Sequence, residues 1–193
     1  GSVAMQHSDL CEIPYVALVD AGMIDLVRSI GVKVLTSADL VQHFEARWSE
    51  QQFESHIAAG KLVDEVRRAA FGKISEALRN NTPVDEFTVA QFIRDGFTAN
   101  NLFTDHGPIV AVNANASNPH YEPLPGSSAA IHAGDLVLID MWAKFNRPDA
   151  VYYDITWTGY CGPTPPDAML NVFQVVSGGR DAGIHTVQQH IAS

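Results

Sequence analysis

Two runs rich in β-branched, aromatic and aliphatic residues, Leu136 to Phe145 and Ala150 to Tyr160, flank Asn146-Arg147-Pro148-Asp149, a stretch with turn chemistry. The pattern predicts a β-hairpin, and a hairpin dictates which side chains meet. Side chains alternate across a strand, so Leu136, Leu138 and Asp140 share one face, as do Tyr152, Asp154 and Thr156. Folding about Arg147 sets Asp140 opposite Asp154. Two carboxylates across an antiparallel pair, their β-carbons about 5 Å apart, repel unless something positive lies between them. A divalent metal ion is one answer, since carboxylate oxygens suit hard or borderline cations. The other is that one Asp caps the turn while its partner is solvated at a strand end. Spacing alone leaves both open.

The segments PIVAVNANASNPHYEP, GDLVLIDMWAK and VYYDITWTGYCG together resemble the proline-specific metallopeptidases of the pita-bread fold, the group of aminopeptidase P, prolidase and the creatinase-like enzymes. The resemblance implies a dinuclear metal centre with five protein ligands, of which the Asp of an LID strand and the Asp opening a DIT segment are the first two. Asp140 and Asp154 stand at those positions, the first chelating one ion and the second bridging both. His120 matches a substrate-pocket His upstream of the first Asp, where it would stabilise the tetrahedral oxyanion or relay a proton; an imidazole can do either near neutral pH. The implied cofactors are two divalent ions, manganese first, with cobalt or zinc as alternatives. The implied activity is hydrolysis of Xaa-Pro peptide bonds, with a proline-containing peptide as substrate and a homodimer as the assembly.

The departures from the family matter as much. Its remaining ligands, a His and two Glu, match nothing after Thr158, and no Glu follows Glu122. The expectation is therefore the amino-terminal part of a truncated pita-bread fold, α/β (α+β) in class, with an antiparallel hairpin core flanked by long helices. With two of five ligands such a chain is expected to be inactive alone. The alternative is a non-catalytic peptide-binding module of the same fold. Metal-free, creatinase-like C–N hydrolysis ranks last, because it would not call for the Asp pair.

Composition bounds the rest. The 193 residues are 46% hydrophobic and 18% charged, an ordinary globular balance long enough for a core. A net charge of −10 without a basic run argues against nucleic acid and anionic membrane as partners. No apolar stretch approaches the ~20 residues of a bilayer span, and no signal-peptide pattern opens the chain, so a cytoplasmic location is expected. Cys11 and Cys161 make no close pair and read as buried or half-buried thiols.

Along the chain, an apolar run Ile13 to Asp20, helical spacing over Met23 to Ile30 and a β-prone run Val32 to Leu35 after Gly31 give a β-α-β order. The leading Gly1-Ser2 is set aside as a cloning remnant. By resemblance, residues 1–36 are the tail of a separate α/β domain, 37–48 a linker helix with Ser37 as N-cap, and 49–193 the first half of the catalytic domain. Ser49 to Gln52 forms a capping box for a helix reaching about Arg79, its apolar stripe running through Phe53, Ile57, Leu62, Val66, Ala70 and Ile74. A second helix is expected over Val84 to Phe97, a strand over Ile109 to Asn113, and a loop over Asn113 to Pro119 that delivers His120. Helical spacing resumes over Asp167 to Ala192 without a stop signal, with a break expected at Gly178-Gly179, where each Gly costs about 1 kcal/mol relative to Ala.

Overall fold

The structure, a computed structural model that describes residues 1–191, divides into two compact units, Gly1–Glu54 and Ser55–Ser193. In the first, strand β1 (Ser2–Met5), helix α1 (Ala21–Ser29) and strand β2 (Lys33–Thr36) form a small parallel unit, with Ser2 opposite Lys33. Asp20 caps α1 by accepting the Met23 N–H at 3.1 Å, and Gly31 turns the chain out of it at φ +80°. The β-α-β order is the expected one, but its first strand is not. Ile13 to Asp20 holds only a 3-10 turn at Pro14–Val16, where Pro14 has no N–H to give a ladder, and the strand is built from Ser2–Met5, part of which had been set aside. Helix α2 (Ala38–Val41) continues through a π-turn at Gln42–Ala46. Ser37 precedes α2 without capping it: its backbone is close to helical rather than extended, and Thr36 Oγ1 takes the Ala38 N–H instead.

The second unit is built on helices α3 (Glu50–Arg79) and α4 (Glu86–Ala99), strands β3 (Leu102–Phe103), β4 (Ile109–Val112), β5 (Leu136–Phe145) and β6 (Tyr153–Tyr160), and helix α5 (Asp167–Ile191). The capping box of α3 is present in both directions, Gln52 N–H to Ser49 Oγ at 3.2 Å and Ser49 N–H to Gln52 Oε1 at 2.8 Å. Asp85 caps α4 through the Thr88 N–H at 2.7 Å. Strand β5 is the centre of an antiparallel sheet. Along one edge it pairs with β4 over Val137 to Asp140 and with β3 at Lys144 and Phe145; along the other it pairs with β6.

Alternation along β5 sets the layers. Val137, Ile139, Met141 and Ala143 are all essentially inaccessible and pack against Val63, Val66, Val89, Ile93 and other residues of α3 and α4. The opposite face, with Leu138, Asp140 and Trp142, carries no described helix of this core. Burying one Leu- or Ile-sized side chain contributes about 1.5–3 kcal/mol, so the core side of β5 is worth several such increments.

The buried face of α3 differs at its start from the expected stripe. Ser55, Ala59, Gly60 and Val63 face inwards, while Phe53 and Ile57 are exposed. Small residues win there because β6 comes close: a Cβ on Gly60 would lie 2.7 Å from Cδ2 of Tyr153. The same turns of α3 hold the segment leading into β6, with Ser55 Oγ accepting the Val151 N–H at 3.2 Å and His56 Nδ1 bonded to the Tyr152 carbonyl at 2.7 Å. Farther along α3, Asp64 accepts from Arg67 Nε at 2.8 Å and aims the Arg67 guanidinium over the Trp157 ring at 3.8 Å.

Helix α5 runs unbroken through Gly178 and Gly179, against expectation. Neither glycine has positive φ or a neighbour within 4 Å of where a Cβ would be; two propensity penalties lower the stability of a helix without removing any backbone hydrogen bond. Ala192, at the end of the expected helical span, lies outside the described residues. Cys161 is half-buried as expected, whereas Cys11 is exposed, and both are free. Among the described residues no helix is long and apolar enough to cross a membrane.

The close approach at Gly60 gives a test. Gly to Ala inside a helix ordinarily stabilises by about 1 kcal/mol, but Gly60→Ala should lower the melting temperature, because the new methyl displaces the Tyr153 ring. A thermal melt of the variant checks the sign.

Candidate metal-binding face

Asp140 and Asp154 lie on the same open face of the β5–β6 ladder, but they are not directly opposite. Asp140 faces Thr156 and Asp154 faces Trp142. The register sits two residues from the one that a fold about Arg147 would give. The cause is the connection: β6 starts only at Tyr153, because Asp149 adopts φ +61° and Val151 and Tyr152 are bonded to α3 rather than to β5. A shift of two preserves the face, so the carboxylates remain diagonal neighbours.

The electrostatics agree with that proximity. Partial burial, and then the Asp140 carboxylate beside it, raise the Asp154 carboxyl above the usual carboxylate range. Asp140 is oriented by a partner invisible to spacing arguments: Thr156 Oγ1, directly across the ladder, donates to Asp140 Oδ1 at 2.6 Å. Trp142, across from Asp154, is held in turn by its indole N–H, which donates to Asp105 Oδ1 at 3.0 Å. Two carboxylates held on one face, with no Lys, Arg or His in an ion pair with either among the described residues, suit a divalent cation as part of a donor set. They are not a full set, since no group of three or more His, Cys, Asp or Glu side chains able to hold a metal occurs among the described residues.

His120 is placed by a different device. It is exposed, on the segment leaving β4, and its N–H donates to Asn118 Oδ1 at 3.0 Å. The hydrogen bonds of the Asp pair do not include it. The segment begins at Val112, across from Val137, three pairs along the ladder from Asp140. At its root Asn113, at φ +50°, accepts the Leu136 N–H at 3.0 Å and donates to Asp135 Oδ1 at 2.7 Å, which splices the segment to the start of β5.

A residue that sequence reasoning passed over joins the pieces. Glu86, the first residue of α4, is fully buried. Its Oε1 accepts the Val112 N–H at 2.7 Å and Asn115 Nδ2 at 2.9 Å; its Oε2 accepts the Ala129 N–H at 2.7 Å and the Tyr121 hydroxyl. The signal was there to find: Glu86 belongs to the periodic set of positions 86, 89, 90, 93 and 97 that α4 buries. A charged residue in phase with a core stripe calls for partners.

Two outcomes follow for the face. Because the Asp154 carboxyl is raised in the folded state, its ionisation opposes folding: stability falls as pH climbs from the ordinary carboxylate range through the raised value. Asp154→Asn should flatten that decline in pH-dependent melts. Added Mn2+, being paramagnetic, should broaden the NMR signals of residues 139–141 and 154–156 ahead of all others, and Asp140→Asn or Asp154→Asn should abolish the selectivity.

Comparison with known proteins places this arrangement. A search of curated proteins returns no match. Among solved structures, a prolidase from Thermococcus sibiricus superposes with a TM-score of 0.61 at 22% identity, covering 86% of this chain and 42% of that one. The prolidase from Pyrococcus horikoshii OT3 gives 0.60 at 20% identity, covering 94% and 46%. An X-prolyl aminopeptidase from Caenorhabditis elegans, described as a cytosolic enzyme with a di-nuclear active site, gives 0.63 at 21% identity, covering 76% and 23%. The chain thus spans less than half the length of each of these proteins. At such identities the likeness is one of fold, and the fold is the pita-bread fold of creatinase-like enzymes. The profile of metallopeptidase family M24 matches residues 54–192, most of the chain and a span that includes Glu86, His120, Asp140 and Asp154, and the chain belongs to that family.

Proposed function

We propose that this chain carries part of the active site of a metal-dependent Xaa-Pro peptidase, of aminopeptidase P or prolidase type. The observation that carries the reading is the Asp140–Asp154 pair on the open face of the ladder, with no Lys, Arg or His in an ion pair with either among the described residues. Asp140 and Asp154 would hold divalent ions, manganese in the first instance, and Thr156 keeps Asp140 turned towards them. When bound, such ions supply Lewis acidity and a more acidic water. The remaining ligands would come from residues outside these 193, so the chain by itself is expected to be inactive.

In this reading His120 donates towards the carbonyl oxygen of the scissile bond as charge develops on it. A dedicated site suits the substrate, because the Xaa-Pro amide has no N–H to offer and proline restricts the backbone the site must accept. Residues 1–36 fit the tail of the α/β domain that precedes the catalytic domain in this group. The second reading is a peptide-binding module of the same fold without catalysis, and the presence of both Asp140 and Asp154 weighs against it.

Hydrolysis of an Xaa-Pro dipeptide, with Mn2+ added and a chelator as control, separates the readings. The expected result is no turnover by this chain and chelator-sensitive turnover by a longer product of its gene. Silence from both would leave the binding module; turnover by the chain alone would refute its expected inactivity.

A further inference from the structure

We propose that Glu86 is the positioning residue of the His120 segment, fixing it from both sides through Asn115 and Tyr121. The argument begins with an accounting problem. A carboxyl with no solvent contact and no Lys, Arg or His in an ion pair with it, among the described residues, would ordinarily be a severe liability. Here each oxygen takes two hydrogen bonds and every partner is a donor, the pattern of a carboxylate used to capacity.

The four donors are far apart in sequence. Val112 ends β4, Asn115 lies in the turn that follows, Tyr121 comes just after His120, and Ala129 precedes the return to β5. Glu86 also gives its own N–H to the Ala129 carbonyl at 3.1 Å, so helix α4 begins by gripping that part of the connecting segment with backbone and side chain together. Between the two inner anchors the chain closes on itself, the Tyr121 N–H donating to the Asn118 carbonyl and the His120 N–H to Asn118 Oδ1, both at 3.0 Å. His120 therefore sits on a short arch whose two feet, Asn115 and Tyr121, stand on different oxygens of one carboxylate. Burial, and then the Glu86 carboxylate, push the Tyr121 phenol up to about 12, consistent with a phenol that keeps its proton in this bond.

The chemistry makes the carboxylate hard to replace. An amide keeps the shape of the group, but its nitrogen cannot accept, so two of the four donors lose their acceptor and face an N–H instead. A methyl leaves all four unpaired. Shortening by one methylene keeps every acceptor while moving them back. The catalytic role of His120 rests on the peptidase reading; the anchoring of its segment by Glu86 does not.

The test uses NMR on the chain as it stands. In Glu86→Gln, amide hydrogen exchange at Val112 or at Ala129, whichever of the two faces the new amide nitrogen, should quicken roughly tenfold or more, as expected for losing about 1–3 kcal/mol of buried hydrogen bonding. The His120 ring signal should move or broaden, and Tyr121 should titrate at lower pH, while exchange within the β5–β6 ladder stays as in the wild type. Glu86→Asp should bring the His120 signal part of the way back. Unchanged exchange at Val112 and Ala129 with an unmoved His120 signal would overturn the proposal, and so would faster exchange spread evenly over the ladder, which would make Glu86 a generic core residue. Should Glu86→Gln not fold, Tyr121→Phe removes a single foot of the arch: greater mobility of residues 116–120 with Val112 exchange unchanged supports the proposal, and unchanged mobility sinks it. A His120 signal that follows Glu86, with no Xaa-Pro turnover by this chain or by a longer product of its gene, would sustain this inference and end the peptidase reading.

Discussion

The alternation of β5 is the constraint from which the rest of the second unit follows. Every second residue from Val137 to Ala143 is sealed against α3 and α4, and that commitment fixes Asp140 on the other face. A slip of one residue would carry Asp140 into the core and Ile139 into water, at the cost of desolvating a carboxylate and exposing a large apolar side chain. The strand is paired along both edges, so a slip would also break two ladders. The position of the first candidate ligand is thus enforced by hydrophobic burial, although the residue itself contributes nothing to that burial.

Glu86 performs the complementary task where hydrophobicity cannot. The segment from Asn113 to Ala130 contains one short 3-10 stretch and no strand or long helix, so most of its backbone groups find no regular ladder. A single carboxylate collects donors from its beginning, middle and end, and the loop acquires a fixed course without a core of its own. The fold therefore positions its candidate site by two unlike means, apolar alternation for the Asp pair and a buried acceptor for the His120 arch.

Much of this was legible in the residues. Period-two alternation and turn chemistry gave the hairpin, and parity kept both aspartates on one face even where the register was shifted by two. The capping box gave the start of α3, and the turn-forming Asn80-Asn81-Thr82-Pro83 stretch gave its end at Arg79. What stayed hidden depends on contacts remote in sequence. Val151 and Tyr152 look like strand residues but are taken by Ser55 and His56. Phe53 and Ile57 look like core, yet the inward side of α3 needs small residues to admit Tyr153. Glu86 reads as a routine acidic residue in the first turn of a helix, because its partners lie 26 to 43 positions away.

The grip of α3 on the entry to β6 couples two parts of the chain 96 residues apart. The β5–β6 hairpin is local and its ladder can close early, whereas docking Val151, Tyr152 and Tyr153 onto Ser55, His56 and Gly60 must pay the entropy of closing a long loop. Asp154 sits one residue beyond that docked segment, on a strand that among the described residues is supported by a ladder on one side only. A nascent hairpin thus presents the two carboxylates before their spacing is set. On the proposed reading, selective affinity for a cation would arrive with the docking of α3, so that metal recognition would report the completion of tertiary structure and not the formation of the strands that bear the candidate ligands.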